Sequence, residues 1–485
     1  MKHSLLLSLV SATILSSSAA LAAPNQITKT DIGASDTAML SATGTDNVQH
    51  SIQSGSANYA QELDNGSGNT DAYGNGYTIA QYGQQNLAIV DKEGNNNSSS
   101  ILQQGTQNQA YLYQTGSGLL SNIVEAGTNL NALIIHQNGT NSVAAVNEQG
   151  NRQGYVATTT GSNIGITGIQ TGTQDSVQLS VQGNTDWISS QQNANNSHYV
   201  GTFVGNNINS AVVQTSDNNS AVISASAPNS SVYINQSGAG ANNANATIQS
   251  QAVSGNSIDI YQTGGNNNYA KETILAGSNN TGLGGSMYSP TYTINQNGTG
   301  NNAITTKNGD NETSLINQTG QNNIANLSQT GSFLGAKIEQ VNASNDAELV
   351  EVGTSVNAYL VQGSQGQSNY YNASLNGTNI NLIGSQYGTS NVANVSATGT
   401  NININTYQSG TANNTQLTAN ANNLNILTAQ AGSNDKINAT FTGAGTSATL
   451  SQTGNNDTLT VTSAKPNDVV TVAQNGNNMT ATVKH

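Results

Sequence analysis

Apolar and polar residues alternate along most of this chain in short runs that end at a glycine. The clearest run lies at 314–331, where two halves repeat the order small residue, aliphatic residue, glutamine: Ser314, Ile316 and Gln318, then Ala325, Leu327 and Gln329. A period of two puts these side chains on one face of an extended segment, which is typical of a β-strand with that face buried. Each half therefore predicts one strand and one turn.

The turns are expected where a glycine follows the glutamine by two positions. Gly320 and Gly331 lie where the backbone must reverse, and glycine adopts positive φ angles without a steric penalty. Asn323 stands at the predicted exit of the turn, where asparagine tolerates a left-handed backbone and can bond to nearby peptide groups. The full signature is thus Gln-x-Gly-x-x-Asn.

This signature returns every 22 residues. Five glutamines in the C-terminal part of the chain keep the interval, and each is followed by glycine two positions later: Gln386, Gln408, Gln430, Gln452 and Gln474. A fixed period of this size indicates one small unit stacked on copies of itself. Counted from Gln53 to Gln474, the chain is predicted to be all-β, a β-solenoid or cross-β stack of about nineteen 22-residue strand–turn–strand repeats with two strands per turn.

Stacking places equivalent residues directly above one another. We expect a ladder of amide and turn residues at Gln103, Gly105, Asn108, Ala110, Gln114, Gln318, Gly320, Asn323, Ala325, Gln329, Gln386, Gly388, Asn391, Gln408, Gly410, Asn413, Gln430, Gly432, Gln452 and Gly454. Stacked amide side chains can hydrogen-bond to one another along the axis. A second column is aliphatic and should form a narrow dry seam: Ile101, Leu112, Ile294, Ile316, Leu327, Ile338, Leu360 and Leu450.

The N-terminal residues differ from the rest in pattern. Residues 1–22 are predicted to be a secretory signal peptide, because two basic residues precede a short apolar run and an Ala20-x-Ala22 cleavage site. We therefore expect a secreted chain with no membrane anchor. Residues 23–47 lack the repeat and are expected to lie outside the solenoid, which should span 48–485. An insertion near 281–292 predicts a surface loop, with a break between two solenoid segments as the alternative.

Composition narrows the classes of function. Only 7% of residues are charged, the net charge is −14, and cysteine is absent. Nucleic-acid binding is not expected, because it requires clustered cations. A disordered free monomer is an alternative for such a polar chain, although the regular spacing of the apolar residues favours order. Where aspartate replaces the asparagine of the signature, at Asp175, Asp435 and Asp457, we expect charged solvent-facing corners, and Trp187 is expected to fill a turn.

Candidate catalytic chemistry is sparse. The histidines are scattered, with no two at a spacing typical of metal ligands: His3, His50, His136, His198 and His485. A metal site requires several donors that converge. The chain is therefore not expected to be an enzyme or to use a cofactor or metal.

The repeat resembles the curlin repeat, whose pattern is Ser-x5-Gln-x-Gly-x-x-Asn-x-Ala-x3-Gln. Two units match its five later positions: Gln103, Gly105, Asn108, Ala110 and Gln114, and Gln318, Gly320, Asn323, Ala325 and Gln329. Glu312 stands where the leading serine of the second unit would be. The unit at Gln386, Gly388, Asn391 and Ala393 has Ala397 in place of the last glutamine. The likeness extends over most of residues 48–485.

This resemblance implies a subunit of curli-type functional amyloid, with many more repeats than a usual major subunit. Members of that family leave the periplasm through a dedicated outer-membrane pore and meet a nucleator at the cell surface. They polymerise into extracellular fibres that support adhesion and biofilm. The resemblance also implies an export-targeting role for residues 23–47. The alternative function is a monomeric secreted β-solenoid that acts as an adhesin or binding protein.

Overall fold

The predicted alternation forms β-strands, and the described part of the chain contains no helix. The structure, a computed structural model, describes residues 25–484 apart from 72–76, 129–130, 161, 185, 205, 227–228, 239, 249–254, 277, 283–292, 364–365, 421–422, 424, 443–445 and 464–468. The predicted signal peptide and most of the predicted loop at 281–292 lie outside the described residues. Two units divide the chain, one up to Ala225 and one from Ser226, and each is described by itself.

The first unit consists of two sheets that take successive strands in turn. Its first sheet contains β1 (Gln26–Ala34), β3 (Val48–Ser56), β5 (Thr70–Asp71), β6 (Ile79–Gln84), β8 (Ser98–Thr106), β10 (Leu120–Thr128), β12 (Val143–Asn151), β14 (Gly165–Thr173), β16 (Trp187–Asn195) and β18 (Asn209–Gln214). Its second sheet contains β2 (Thr37–Thr45), β4 (Tyr59–Ser67), β7 (Leu87–Asn95), β9 (Gln109–Ser117), β11 (Ala132–Thr140), β13 (Gly154–Thr159), β15 (Ser176–Gln178), β17 (His198–Val200) and β19 (Ser220–Ala225).

The second unit has the same arrangement. Its first sheet contains β20 (Ser231–Gln236), β22 (Ser257–Thr263), β24 (Thr281–Gly282), β25 (Ile294–Thr299), β27 (Thr313–Gln321), β29 (Gly335–Ala343), β31 (Asn357–Gln362), β33 (Asn381–Thr389), β35 (Asn403–Thr411), β37 (Asn425–Ser433), β39 (Ser447–Asn455) and β41 (Val469–Asn477). Its second sheet contains β21 (Asn243–Ile248), β23 (Tyr269–Ala276), β26 (Asn302–Asp310), β28 (Ile324–Ser332), β30 (Asp346–Glu351), β32 (Tyr370–Asn372), β34 (Val392–Asn394), β36 (Asn414–Thr418), β38 (Lys436–Phe441), β40 (Thr458–Ser463) and β42 (Thr480–Lys484).

Neighbouring strands within a sheet are parallel and one repeat apart. Across β27 and β29, for example, Gln318 lies opposite Gln340, and across β28 and β30 Leu327 lies opposite Leu349. The chain thus passes from one sheet to the other and returns one strand spacing further along, about 4.8 Å. This confirms the predicted β-solenoid of about 19 turns with a repeat of about 22 residues.

The glycine of the signature is required by the close stacking of turns. Gly320 has a φ of +123°, and a Cβ there would collide with the carbonyl oxygen of Asn342 in the next turn. The left-handed residue of this corner is Asn322, with a φ of 53°, and not Asn323. Asn323 is instead fully buried. The sequence analysis therefore assigned the left-handed conformation to Asn323, one residue too late. The side chain of Asn323 points into the interior of the solenoid instead.

The solenoid begins earlier than the sequence predicts. Residues 26–45, which were expected to lie outside it, form β1 and β2. β1 pairs in parallel with β3 over nine residues, from Gln26 opposite Val48 to Ala34 opposite Ser56. This turn lacks the signature because Asp31 replaces the glutamine, yet it keeps the alternation that pairing requires.

The core is a thin layer between the two sheets. Alternate residues of each strand point inwards, as in β28, where Ala325, Leu327 and Gln329 are buried. Interior positions are filled by small, aliphatic and amide side chains in a fixed order. Since only two strands bound the interior at each level, stability depends on contacts between turns.

Candidate functional site

The interior of each unit carries rows of hydrogen-bonded amides. In the second unit each glutamine donates from Nε2 to Oε1 of the next, over 2.7–3.0 Å, along one row: Gln236, Gln262, Gln296, Gln318, Gln340, Gln362, Gln386, Gln408, Gln430, Gln452 and Gln474. Both amide hydrogens of an inner member are used. Gln318, for instance, also donates to the carbonyl oxygen of Asn302 in the facing sheet, at 2.9 Å.

The first unit has shorter glutamine rows. Gln53, Gln81 and Gln103 are linked in the same way at 2.8 Å, and Gln103 then donates to the carboxylate of Glu125 at 2.6 Å. In the facing sheet Gln114 donates to Gln137 at 2.8 Å. Gln329, in the second unit, donates to Glu351 at 3.0 Å. The glutamine positions singled out from the sequence are thus all interior.

The signature asparagines form a second column at the corners. The backbone N–H of Asn323 donates to Oδ1 of Asn301, and the backbone N–H of Asn345 donates to Oδ1 of Asn323, both at 3.1 Å. Nδ2 of Asn323 donates to the carbonyl oxygen of Asn342 at 3.0 Å. The side chain of Asn323 therefore satisfies a backbone N–H and a backbone carbonyl of the following turn, and its own N–H is satisfied by Asn301 of the preceding turn. Equivalent bonds hold Asn108, Asn391 and Asn413.

The aspartates that replace asparagine are buried, so the expectation of solvent-facing corners was wrong. Asp435 and Asp457 are 0% exposed, and Asp175 is buried as well. Their Oδ1 atoms accept the same backbone bond, as in the 3.1 Å contact from the N–H of Asp457 to Asp435. Burial raises the pKa of Asp175 to about 7, and it also raises the pKa of Asp435. The column geometry keeps these carboxyls inside because the corner needs an acceptor there.

The aliphatic column is a dry seam over four turns, and Gly384, Thr406 and Thr428 interrupt it between Leu360 and Leu450. Ile294, Ile316, Ile338 and Leu360 lie opposite one another in successive turns and are all 0% exposed. Burying such side chains stabilises the fold by about 1.5–3 kcal/mol each. The other seam positions, Ile101, Leu112, Leu327 and Leu450, are buried in the same way.

Sequence reasoning did not predict that a set of charged side chains is buried. They occupy interior positions that are small, aliphatic or amide elsewhere: Glu62, Asp64, Lys92, Glu125, Glu148, Glu272, Lys307 and Glu351. Position within the repeat could have indicated burial of the two lysines. Lys92 and Lys307 each precede a glycine by two residues, as the buried glutamines do. Three ion-pair contacts result: Lys92 lies 2.8 Å from Glu62 and 3.3 Å from Asp64, and Lys307 lies 2.9 Å from Glu272.

Two carboxyls of this set occupy opposite positions in adjacent strands, and neither forms an ion pair with a lysine or arginine of the described residues. Glu125 and Glu148 are opposite residues of β10 and β12. Burial raises the pKa of Glu125 to about 8, against a lowering by the hydrogen bond from Gln103. The pKa of Glu148 is raised well above its usual value by burial and by the charge of Glu125.

The outer faces carry isolated aromatic stacks. Tyr113 and His136 stack with ring centres 4.7 Å apart, and Tyr233 and Tyr261 approach to 5.2 Å. Trp187 is 59% exposed, so its expected place inside a turn was wrong. It begins β16 at an outward-facing position, which the alternation of that strand determines.

The described residues contain no group of three or more histidine, aspartate or glutamate side chains placed to hold a metal ion. Nor does that part of the chain include a helix of the length and hydrophobicity needed to span a membrane.

The β-solenoid fold is compatible with a structural or adhesin-like protein. A scan against protein-family models finds no match for this chain, and a search of curated proteins finds none either.

Proposed function

We propose that this chain is a secreted structural subunit that adds end to end to further copies and forms extracellular, curli-like amyloid fibres. The observation that carries this proposal is that the first and last strands described leave open edges, and that interior amide and carboxyl groups lie at those edges. Within the described residues, β1 and β2 pair on one side only, with β3 and β4. β41 and β42 likewise pair only with β39 and β40. Unpaired edges of this kind are templates for further strands.

The two edges are chemically complementary. At one edge Gln474 accepts from Gln452 at 2.9 Å and donates to the carbonyl oxygen of Thr458 at 3.3 Å, which leaves one amide hydrogen directed along the column. At the other edge Asp31 occupies the column position opposite Gln53. Its Oδ2 lies 2.6 Å from Lys29, while Oδ1 is buried and accepts no hydrogen bond from the described residues. Head-to-tail addition would pair that donor with that acceptor.

Secretion, fibre function and partners belong to the same proposal. The signal-peptide pattern at 1–22 supports passage through the periplasm, and the curlin-like repeat supports export through an outer-membrane pore and nucleation at the cell surface. Adhesion and a role in biofilm matrix follow from the same likeness.

Seeded assembly of the purified mature chain tests the proposal. Fibres grown in solution should give X-ray reflections near 4.8 Å and 10 Å, which are the strand and sheet spacings. Fragments of those fibres should abolish the lag of a fresh solution. A monomer that light scattering shows to be independent of concentration, and that ignores added fragments, would contradict the proposal.

A monomeric adhesin is the second candidate, favoured by the outward aromatic stack of Tyr113 and His136. Aromatic rings on an outer face offer binding area without any need for assembly. The light-scattering result separates the two candidates, because only the fibre subunit grows with concentration.

A further inference from the structure

Three of the buried charges form one cluster between two turns of the first unit. Lys92 lies with Nζ 2.8 Å from Oε1 of Glu62 and 3.3 Å from Oδ1 of Asp64. All three side chains are 0% exposed. Nζ also donates to the carbonyl oxygen of Thr70 at 3.2 Å, which fixes its position. An amine is thus held against two carboxyls in a dry interior.

Strand register makes this contact unavoidable. Asp64 of β4 lies directly opposite Lys92 of β7. Glu62 precedes Asp64 by two residues and therefore points into the same interior. The lysine amine thus contacts a carboxyl group on the adjacent strand, and the carboxyl of Glu62 also contacts the amine.

We propose that Lys92 and Asp64 condense to an intramolecular isopeptide bond, with Glu62 as the proton carrier. The covalent link would join β4 to β7 inside the solenoid. The roles follow from position: Asp64 is the register partner of Lys92, whereas Glu62 makes the shorter contact with Nζ.

The steps balance without any further reactant. The Lys92 ammonium transfers a proton to Glu62, which leaves a neutral amine and a carboxylic acid. The acid protonates the Asp64 carboxylate as Nζ attacks its Cγ, and the Nζ–Cγ bond forms. A second proton from Nζ passes through Glu62 to the departing oxygen, the Cγ–O bond breaks, and water leaves. One ammonium and one carboxylate become one amide and one water, and Glu62 returns as a carboxylate.

The direct contact between Lys92 and Glu62 provides the path for this exchange of protons. Burial raises the pKa of Glu62 to about 7, against the lowering effect of Lys92. Burial lowers the pKa of Lys92, but Glu62 and Asp64 raise it by more. The ion pair is therefore the resting form, and the raised pKa of Glu62 makes this carboxylate a better acceptor of the Lys92 proton across the single 2.8 Å contact. Condensation also removes two charges from an interior where desolvation of ions is costly.

A second lysine provides an internal comparison. Lys307 lies 2.9 Å from Glu272 and donates to the carbonyl oxygen of Thr281 at 2.8 Å, as Lys92 does with Thr70. Its register partner on β23, however, is Ile274. The position of Asp64 is thus occupied by a side chain that cannot react, and we expect Lys307 and Glu272 to remain an ion pair.

Intact-mass spectrometry of the folded full-length mature chain, denatured just before measurement, tests the proposal. The wild type should be lighter than its sequence mass by one water. Tandem spectra should show a branched peptide that joins Lys92 to Asp64, which distinguishes the link from a succinimide of the same mass. Asp64→Ala and Glu62→Gln should both restore the full mass. Glu62→Gln keeps the Lys92–Asp64 ion pair, so it remains informative if Asp64→Ala does not fold.

Glu272→Gln is the matched control and should keep the one-water deficit. Folding of each variant is checked by its β-sheet circular dichroism. A folded wild type at full mass would overturn the proposal, and so would a branched peptide that maps to any residues other than Lys92 and Asp64. Neither result depends on fibre formation, since the bond lies within one chain.

Discussion

The side-chain amide of Gln318 donates to that of Gln340, 22 residues later, over 2.8 Å inside the solenoid. Both residues are 0% exposed. A glutamine would not normally be buried unless its polar atoms were satisfied. Here the repeat supplies the partner, since the same residue returns at the same place in the next turn. The glutamine column therefore depends on the 22-residue period of the sequence as well as on the conformation of each strand.

Removal of one column member should destabilise the solenoid strongly. Gln340→Ala deletes the bonds to Gln318 and Gln362 and leaves a donor and an acceptor buried without partners. Each such group costs about 1–3 kcal/mol. We expect the free energy of unfolding to fall by at least about 2 kcal/mol, measured by denaturant titration. Thr319→Ala, on the outer face of β27, is the control and should change it by less than about 0.5 kcal/mol.

Charge in the dry seam should prevent assembly. Ile316→Asp places a carboxylate between Ile294 and Ile338, where it has no counter-ion and burial is costly. We expect loss of fibres in electron microscopy. Leu315→Asp changes the neighbouring residue, which faces outwards, and should leave fibre formation intact. Fibres of Ile316→Asp with unchanged diffraction spacings would contradict the assignment of the inward face.

The stacked pair Glu125 and Glu148 should make stability depend on pH. The pKa of Glu125 in the folded chain, about 8, lies above its usual 4.5, so folding takes up a proton. This contribution to stability is complete below about pH 4.5 and is lost as pH rises through about 8. Two other groups interact with this pair. Gln103 donates a hydrogen bond to Glu125. The pKa of Tyr155 is raised mainly by burial and in small part by the charge of Glu148.

Thermal unfolding of Glu125→Gln measures this effect. We expect the variant to exceed the wild type in midpoint temperature at pH 8.5 and to match it at pH 4.5. Asp46→Asn, at an exposed corner between β2 and β3, removes the same formal charge and should leave the pH profile unchanged. Parallel profiles for the wild type and Glu125→Gln would rule out the buried pair as the cause.

Assembly should be faster in mild acid. The net charge of −14 repels copies at neutral pH, and the sequence pI of about 4.4 indicates that the repulsion weakens on acidification. Protonation of the buried carboxyls acts in the same direction. Thioflavin time courses should therefore show a shorter lag at pH 5 than at pH 7. Equal lag times at the two pH values would contradict both causes.

The corner glycine should tolerate no side chain. Gly320→Ala would place a Cβ against the carbonyl oxygen of Asn342 and force a φ of +123° on alanine. We expect a fall in unfolding free energy of more than about 1 kcal/mol. Gly154→Ala serves as the control, since a Cβ at Gly154 would meet no atom within 4 Å. Equal midpoints of the two variants in denaturant would show that close stacking does not require the glycine.

Much of the fold could be predicted from particular residues. The interval from Gln386 to Gln408 already implies parallel pairing one repeat apart, and the alternation around Ile316 identifies the buried face. These features are local or strictly periodic. The predicted exposure was wrong where aspartate replaces the asparagine of the signature, as at Asp435. A charged residue type favours exposure, but the corner column requires a hydrogen-bond acceptor at this position.

The sequence by itself determined the period, the strand faces and the turn glycines, because each follows from spacing along the chain. Only the tertiary structure decided which charges lie inside and what they contact. Asp64 and Lys92 are 28 residues apart, so the 22-residue period does not pair them, and their contact depends on how the chain between them returns to register. Spacing specifies which residues repeat, whereas burial and ion pairing depend on distances across turns that only the folded chain establishes.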